Sequence, residues 1–425
     1  MDNYLMNKCL KSLQELDEAG VISFRSDGIG VFPLAASHVM SKNLVTFESM
    51  KNFMDLPPTC DTADLLRALC ECEDMQRPIR RSEKKHLNEC HKFVKYKLEG
   101  PMSKVRVQIP WQKSFILLQA NIGQLYLEDY TLRKEMTLMS DYAVRMLQAC
   151  EEYSFEGSRH GQVGCRCLAV SCRFFSPNFS IYNFLKIFIV SVTILFLKLR
   201  RSLETALWSP SDGMLNQLPG VGAVTTKKLK DKNILSFSDV LSQNASALEE
   251  AAKRREPFGR ELQFFVSKIL GNALDLSCGI EKKTGSPNSI VRCNIQPFPQ
   301  TVLPASSCHD NKFQSSAGQS LVRYTLVVYT DYPGGKLFHR KNITSAGEFK
   351  IMCPFKFGKI FCRLYSDLCG LDVMNEIEGS SPYYNPSKTK KLPFSPAHRD
   401  SSKSKEPSKK RKKDQTEASK TREML

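Results

Sequence analysis

The spacing of apolar residues changes along this 425-residue chain, and that change limits the folds open to it. Through most of the first 270 residues, apolar side chains recur every three or four positions, which predicts amphipathic helices. Later runs are short, rich in β-branched and aromatic residues, and separated by Pro and Gly, at 289–295, 320–330, 336–342, 348–353 and 359–366. Such runs are typical of strands. We therefore predict a mainly α multidomain chain that ends in a small all-β immunoglobulin- or fibronectin-like sandwich.

The same patterns divide the chain into five segments. Residues 1–40 combine a helix and a hairpin, the rear half of a winged helix, and residues 41–209 are expected to form a helical bundle. Residues 210–275 are a compact lysine-rich helical unit, residues 289–376 the sandwich, and residues 380–425 a disordered basic tail. Because a winged helix needs earlier helices to close its core, we expect the chain to begin inside a domain of a longer protein.

An apolar stretch at residues 174–199 interrupts the bundle pattern. Its 17 residues from 181 to 197 contain one charge, Lys186, and are slightly shorter than the roughly 20 residues that a spanning helix needs. Three interpretations stay open: one membrane span, a buried helix, or sequence that does not belong to the fold.

The net charge of +17 favours polyanionic partners, either nucleic acid or an anionic membrane surface. Residues 385–425 contribute 13 basic and 5 acidic residues, so about half of the excess lies in the tail. A basic run there predicts a nuclear localisation signal or a non-specific nucleic-acid arm, with a solvated charge run as the alternative. Its residues are Lys409, Lys410, Arg411, Lys412 and Lys413.

The motifs of common enzymes and metal sites are missing from the sequence. The 15 cysteines do not form the two separated CxxC pairs of a structural zinc site, so we predict reduced, buried thiols and no metal. The chain contains no GxxxxGK[ST] loop, no GxSxG and no HExxH. We therefore predict no catalytic residue and no cofactor within this chain.

The pentapeptide LPGVG at 218–222 carries the strongest functional signal. Its glycines permit a tight turn that presents backbone N–H groups at the start of the next helix, a geometry that binds phosphate. Such a helix-hairpin-helix grips a DNA or RNA backbone without reading its bases. The alternative is a plain turn between two packed helices. The predicted nucleic-acid-binding residues are Pro219, Gly220, Val221, Gly222, Lys227, Lys228 and Lys230.

The order of these modules resembles the C-terminal half of some superfamily 2 helicases. Four stretches carry the resemblance: Met40-Ser41-Lys42 with TFESMK at 46–51, FILLQANI at 115–122, ALW at 206–208 leading to QLPGVG at 217–222, and PFG at 257–259. The last is similar to the branch of meiotic crossover-promoting DNA helicases. The resemblance covers about residues 1–375. It implies a nuclear, ATP-dependent 3′-to-5′ DNA helicase that acts with recombination proteins on single-stranded or branched DNA.

In that family two ATPase domains, which bind ATP and Mg²⁺, precede this module. Their Walker A and DExH motifs are absent here, so we expect a chain that does not hydrolyse ATP alone. One long helix of the family would be restored by joining residues 172–173 to residues 200–203, which favours a retained intron or a gene-model error at 174–199. Two alternatives remain: a spliceosomal or RNA-processing helicase relative or protein scaffold, and an endoplasmic-reticulum translocation component anchored by residues 181–197.

Overall fold

The computed structural model describes most of the predicted modules. Its residues are 2–24, 30–56, 60–98, 106–160, 181–209, 213–282, 288–298, 322–330, 337–354 and 359–378. The predicted localisation run at 409–413 lies outside them, as does the first part of the apolar stretch, residues 174–180.

A helix and a short hairpin begin the chain. Helix α1 (Asp2–Glu18) ends at Gly20, whose φ of +72° suits glycine. Strands β1 (Ile22–Phe24) and β2 (Val31–Pro33) then pair in antiparallel fashion. Helix α2 (Ala35–Asn43) follows and leads into the bundle.

Seven helices, counting α2, pack around one apolar core in the next segment. Helix α6 is central, and every side chain from 113 to 120 is buried. Among them Lys113 is neutralised by Glu83 at 2.8 Å and by Glu135 at 2.6 Å. Besides α2, the helices are α3 (Phe47–Met54), α4 (Thr62–Glu71), α5 (Glu83–His91), α6 (Pro110–Ile122), α7 (Tyr130–His160) and α8 (Ile181–Thr205).

Helix α8 contains the second part of the apolar stretch. Thr193, Phe196 and Leu199 are buried, and α8 packs along α7. Within the described ranges, no helix combines the length and the apolar character needed to cross a membrane. The end of the stretch is thus part of the bundle core, while its origin in a retained intron stays a prediction.

Four helices follow a short 3₁₀ turn at Met214–Gln217: α9 (Ala223–Asp231), α10 (Phe237–Ser242), α11 (Ala245–Ala252) and α12 (Phe258–Gly271). Gly259 lies where α11 and α12 approach most closely. A Cβ at this position would lie 2.1 Å from the Ala245 carbonyl oxygen, so only glycine fits. Its N–H donates to Glu249 Oε1 over 2.9 Å.

Seven antiparallel strands form two sheets in the C-terminal part, with the orders β3-β4-β7 and β6-β5-β8-β9. The strands are β3 (Leu274–Lys282), β4 (Asn288–Pro297), β5 (Tyr324–Thr330), β6 (Leu337–Ile343), β7 (Gly347–Pro354), β8 (Lys359–Ser366) and β9 (Val373–Glu378). The predicted fold class, a helical part followed by a small antiparallel β part, is confirmed.

Strand β3 was missing from the sequence prediction, which began the sandwich at residue 289. Its residues pair with β4 from Leu274 opposite Pro297 to Lys282 opposite Ser289. The segment LDLSCGIEK contains a single β-branched residue, Ile280, so its local strand preference is weak. Pairing with a neighbouring strand supplies the stability that local preference does not.

The helical unit after residue 213 and the sandwich share one core, although the sequence suggested two separate modules. Leu229 and Leu262 belong to the same buried cluster as Leu276 of β3. Gln217 also joins the two parts directly. Its Nε2 donates to the Cys369 carbonyl over 2.8 Å, and its Oε1 accepts from the Cys369 N–H over 2.9 Å.

Candidate nucleic-acid interface

Two buried apolar residues anchor the predicted hairpin, and its two glycines are exposed. Leu218 and Val221 are buried in the shared core, whereas Gly220 and Gly222 are exposed. The Val221 N–H donates to the Leu218 carbonyl over 3.1 Å and closes the turn. This anchoring gives the two glycines a fixed position on the surface.

The backbone at the glycines leaves space for a ligand. Gly220 has a φ of +75°, in the left-handed region, and a Cβ at this residue would meet no atom within 4 Å. Gly222 is the N-cap of α9, and Thr226 makes the first helical bond, to the Gly222 carbonyl at 2.9 Å. The N–H groups of the first turn before Thr226 have no acceptor within a helix. Together with the helix dipole, they suit an anion such as phosphate.

The three predicted lysines lie in different surroundings. Lys227 and Lys230 are exposed, but Lys228 is partly buried. Lys228 Nζ donates to the Ala252 carbonyl at the C-terminal end of α11 over 3.3 Å. This contact uses the favourable interaction of a cation with a helix C-terminus. Lys228 therefore joins α9 to α11, and Lys227 is the more accessible charge.

Arg254 is a further basic residue at the hairpin, and sequence analysis did not single it out. Its Nη2 lies 3.4 Å from the Gly220 carbonyl oxygen, and its guanidinium lies 5.5 Å from the Phe258 ring. Arg254 is 34 residues from Gly220, so spacing alone could not join them. The signal available was the basic run Lys253-Arg254-Arg255, which lies in the loop after α11.

Three buried thiols form a second cluster that the sequence did not predict. The Cys278 and Cys293 sulfurs are 3.7 Å apart, and those of Cys293 and Cys362 are 3.8 Å apart. These residues are 15 and 69 positions apart in the chain, so no ligand spacing was visible. Hydrogen bonding to the two neighbouring thiols, together with burial, raises the pKa of the Cys362 thiol.

Thiolates would suit a soft metal ion such as Zn²⁺ or Cu⁺. A structural zinc site, however, takes four protein ligands, and only these three residues form such a group in the part of the chain that is described. Hydrogen bonds with Cys278 and Cys362 lower the pKa of Cys293, and all three side chains lie in the sandwich core.

Comparison with known proteins shows what this chain is similar to. Residues 33–172 match the family described as the Sec63 Brl domain. Over 285 residues the chain is 26% identical to the ATP-dependent DNA helicase MER3 homolog of Oryza sativa subsp. japonica, covering 65% of this chain and 21% of that protein. It is 23% identical over 278 residues to the ATP-dependent DNA helicase homolog MER3 of Arabidopsis thaliana, covering 63% of this chain and 22% of that protein.

A vertebrate relative, the probable ATP-dependent DNA helicase HFM1 of Xenopus tropicalis, is 22% identical over 271 residues, which cover 62% of this chain and 18% of that protein. The chain thus spans about a fifth of the length of the curated relatives it matches. These matches confirm the resemblance predicted from the sequence: residues 33–172 are similar to the Sec63 Brl domain, and the longer matches are to proteins named as DNA helicases. The homologues of this chain are the DNA helicases named MER3 and HFM1.

Proposed function

We propose that this chain is the C-terminal accessory part of an ATP-dependent 3′-to-5′ DNA helicase of meiotic crossover formation. In this role it acts in the nucleus and holds the exiting single strand while ATPase domains, with bound ATP and Mg²⁺, pull on the DNA. Recombination proteins are its expected partners. The helicase names of the homologues support the class. The observation that carries the binding role is the exposed glycine hairpin at the start of α9.

Binding would proceed through phosphates. The first-turn N–H groups that follow Gly220 and Gly222 would donate to one phosphate, and Lys227 would lie near the next. Arg254 adds a charge beside Gly220. Because these contacts involve the backbone of the nucleic acid, they would not depend on base sequence. Lys228 supports the hairpin from behind by holding α9 against α11.

The test is binding of the full chain to a labelled single strand, measured by fluorescence anisotropy over a range of salt concentrations. The variant carries Lys227→Glu and Lys230→Glu, at the two exposed lysines of the hairpin. Each lost phosphate contact should lower the slope of log affinity against log salt by roughly 0.7 for a single strand. Affinity should fall on every base sequence, because the contacts are to phosphate.

A matched variant carries the same charge changes at exposed lysines far from the hairpin in sequence, Lys268→Glu with Lys350→Glu. It should reproduce the small general effect of net charge without the change in slope. If the hairpin variant kept both its affinity and its salt slope, the hairpin would not be the binding site.

A second candidate function is RNA processing, as in a spliceosomal or RNA-processing helicase. The hairpin contacts would not by themselves distinguish DNA from RNA. Anisotropy with DNA and RNA strands of one sequence separates the two functions. Tighter binding to RNA would favour the second.

A further inference from the structure

Two exposed tyrosines lie near the start of α7: Tyr130 is its first residue, and Tyr126 is in the loop before it. The side chain of Tyr126 is 80% exposed and that of Tyr130 is 61% exposed, which is unusual for rings of this size. The Arg133 guanidinium lies 5.5 Å from the Tyr126 ring and 5.8 Å from the Tyr130 ring. The Lys134 ammonium lies 4.9 Å from the Tyr130 ring. Aromatic faces and positive charges therefore alternate on one surface, which we term the tyrosine patch (Tyr126, Tyr130, Arg133 and Lys134).

Hydrogen bonds hold this surface in place. Arg133 Nη1 donates to the carbonyls of Leu127 over 2.6 Å and Glu128 over 3.2 Å, and to the Tyr126 hydroxyl over 3.3 Å. The guanidinium is thus fixed between the two rings by the loop that precedes α7. Because little side-chain freedom is left to lose, a ligand would bind a preformed surface.

Two acidic residues lie between the tyrosines in the chain: Glu128 is exposed, whereas Asp129 caps the helix. Asp129 Oδ1 accepts from the N–H groups of Thr131 at 2.7 Å and Leu132 at 3.1 Å, as an N-cap does. The bond from Leu132 contributes most to lowering the pKa of Asp129. Its charge is therefore directed into the first turn of α7, and the charged groups that lie over the two rings, those of Arg133 and Lys134, are positive.

Hydrogen bonds also connect the patch to the hairpin. Gln124 lies two residues before Tyr126, so at most about 7 Å of backbone separates them. Its Oε1 accepts from Asn216 Nδ2 over 2.6 Å, and Asn216 Oδ1 accepts from Thr226 Oγ1 over 3.5 Å. Thr226 lies in the first turn of α9, behind Gly222. These bonds link the segment that carries Tyr126 to the hairpin proposed to bind phosphate.

We propose that Tyr126 and Tyr130 form a stacking platform for unpaired nucleobases of the strand whose phosphates the hairpin binds. This inference rests on the proposed function, which places the strand at the hairpin. Every base has a face that stacks on an aromatic ring, so the platform accepts any sequence. The bases of a duplex are already stacked on one another, so the platform distinguishes single strands from duplexes, whereas phosphate contacts alone do not. Arg133 and Lys134 add attraction for the backbone between the bases.

The test uses three labelled probes of equal length with the full chain: an oligothymidylate, an abasic strand with the same phosphates, and a duplex. The variant is Tyr126→Ala with Tyr130→Ala. Loss of stacking should weaken binding to oligothymidylate by about tenfold or more. Binding to the abasic strand and to the duplex should not change, and the salt slope should stay that of the wild type.

Two controls separate stacking from damage to the fold. Tyr126→Phe with Tyr130→Phe keeps both rings and should keep the affinity for oligothymidylate. Tyr4→Ala removes an equally exposed tyrosine from α1 (69% exposed) and should change none of the three affinities. All three sites are at the surface, where substitutions usually alter stability by less than about 0.5 kcal/mol.

Two results with the alanine variant would overturn the inference: an unchanged affinity for oligothymidylate, or an equal loss on the abasic strand. Failure of the hairpin assignment is a different result, because it appears as an unchanged salt slope in the variant with glutamates at 227 and 230. A wild-type chain that binds oligothymidylate and the abasic strand equally tightly would contradict the stacking platform and leave the hairpin assignment intact.

Discussion

Glu151 provides the most demanding test of how the modules are joined. The residue is completely buried in α7 and accepts from two arginines of other elements. Arg200 Nη1 of α8 lies 2.6 Å from Glu151 Oε2, and Arg340 Nε of β6 lies 2.7 Å from Oε1. One carboxylate therefore connects the helical bundle to the sandwich. We predict that Glu151→Gln, which keeps the shape and removes the charge, strongly destabilises the chain.

The magnitude follows from what the substitution leaves behind. The side chains of Arg200 and Arg340 are only 17% and 10% exposed, so neither guanidinium can be rehydrated without movement. Removing one partner of a buried ion pair typically costs about 3–5 kcal/mol, because it leaves an uncompensated charge. The amide of Gln could still accept from one arginine, but its NH₂ group would face the other donor. We therefore expect a loss of about 3 kcal/mol or more in the free energy of unfolding.

The assay is urea unfolding followed by tryptophan fluorescence and by far-ultraviolet circular dichroism. The two tryptophans, Trp111 in α6 and Trp208 just after α8, report on the bundle, whereas circular dichroism reports on the whole chain. The control is Glu71→Gln, which breaks an exposed pair with Arg67 one helical turn away. Such a pair contributes about 0.3–0.5 kcal/mol.

A second variant tests whether the cost comes from unpaired charge. Replacing Glu151, Arg200 and Arg340 together by Leu, Met and Met removes all three charges, and such replacements are often neutral or stabilising. The triple variant should therefore be more stable than Glu151→Gln. The reasoning would be refuted if Glu151→Gln cost no more than Glu71→Gln by both probes, or if the triple variant were the least stable of the set.

Two further predictions concern a glycine contact and a buried histidine. Gly259→Ala places a Cβ against the Ala245 carbonyl and should lower the free energy of unfolding, measured by thermal unfolding, by about 3 kcal/mol. Gly220→Ala has open space around its Cβ and should lower it by only about 1–2 kcal/mol, because of the left-handed backbone. Equal losses would contradict the packing argument. Burial, followed by the charge of Lys97, lowers the pKa of His91. The contribution of His91 to stability is therefore complete above its unfolded pKa of about 6.5 and is lost as the pH falls below that value. Unfolding midpoints measured between about pH 7 and pH 5 should fall less steeply for His91→Gln than for the wild type, and equal slopes would assign the pH dependence to other groups.

Sequence patterns alone were sufficient to predict the elements that depend mainly on residues close together in the chain. The helices of the bundle follow from apolar spacing, and the LPGVG turn follows from what its two glycines permit. Strand β3 could not be found in this way, because its pairing with β4 and not its own composition makes it a strand. The strand begins at Leu274, before the boundary predicted at residue 289.

The candidate site depended more on contacts between distant residues. The sequence predicted that Lys228 would face a phosphate, but the carbonyl that it meets belongs to Ala252, 24 residues later. Arg254 and the three sandwich thiols were missed because their partners are 34, 15 and 69 residues away. Hydrophobic period and motif spacing report on neighbours in the chain, so such contacts are outside their reach.

The hairpin is attached to the rest of the protein through two adjacent residues that reach in different directions. Asn216 bonds to Gln124 of the bundle, and Gln217 bonds twice to Cys369 of the sandwich. A strand pulled across Gly220 would therefore act on both parts together and not on an isolated loop. Because Glu151 joins the same two parts elsewhere, loss of its charge should loosen the support of the hairpin without touching the hairpin itself. Weaker strand binding by Glu151→Gln, at an unchanged salt slope, would be the sign of this coupling.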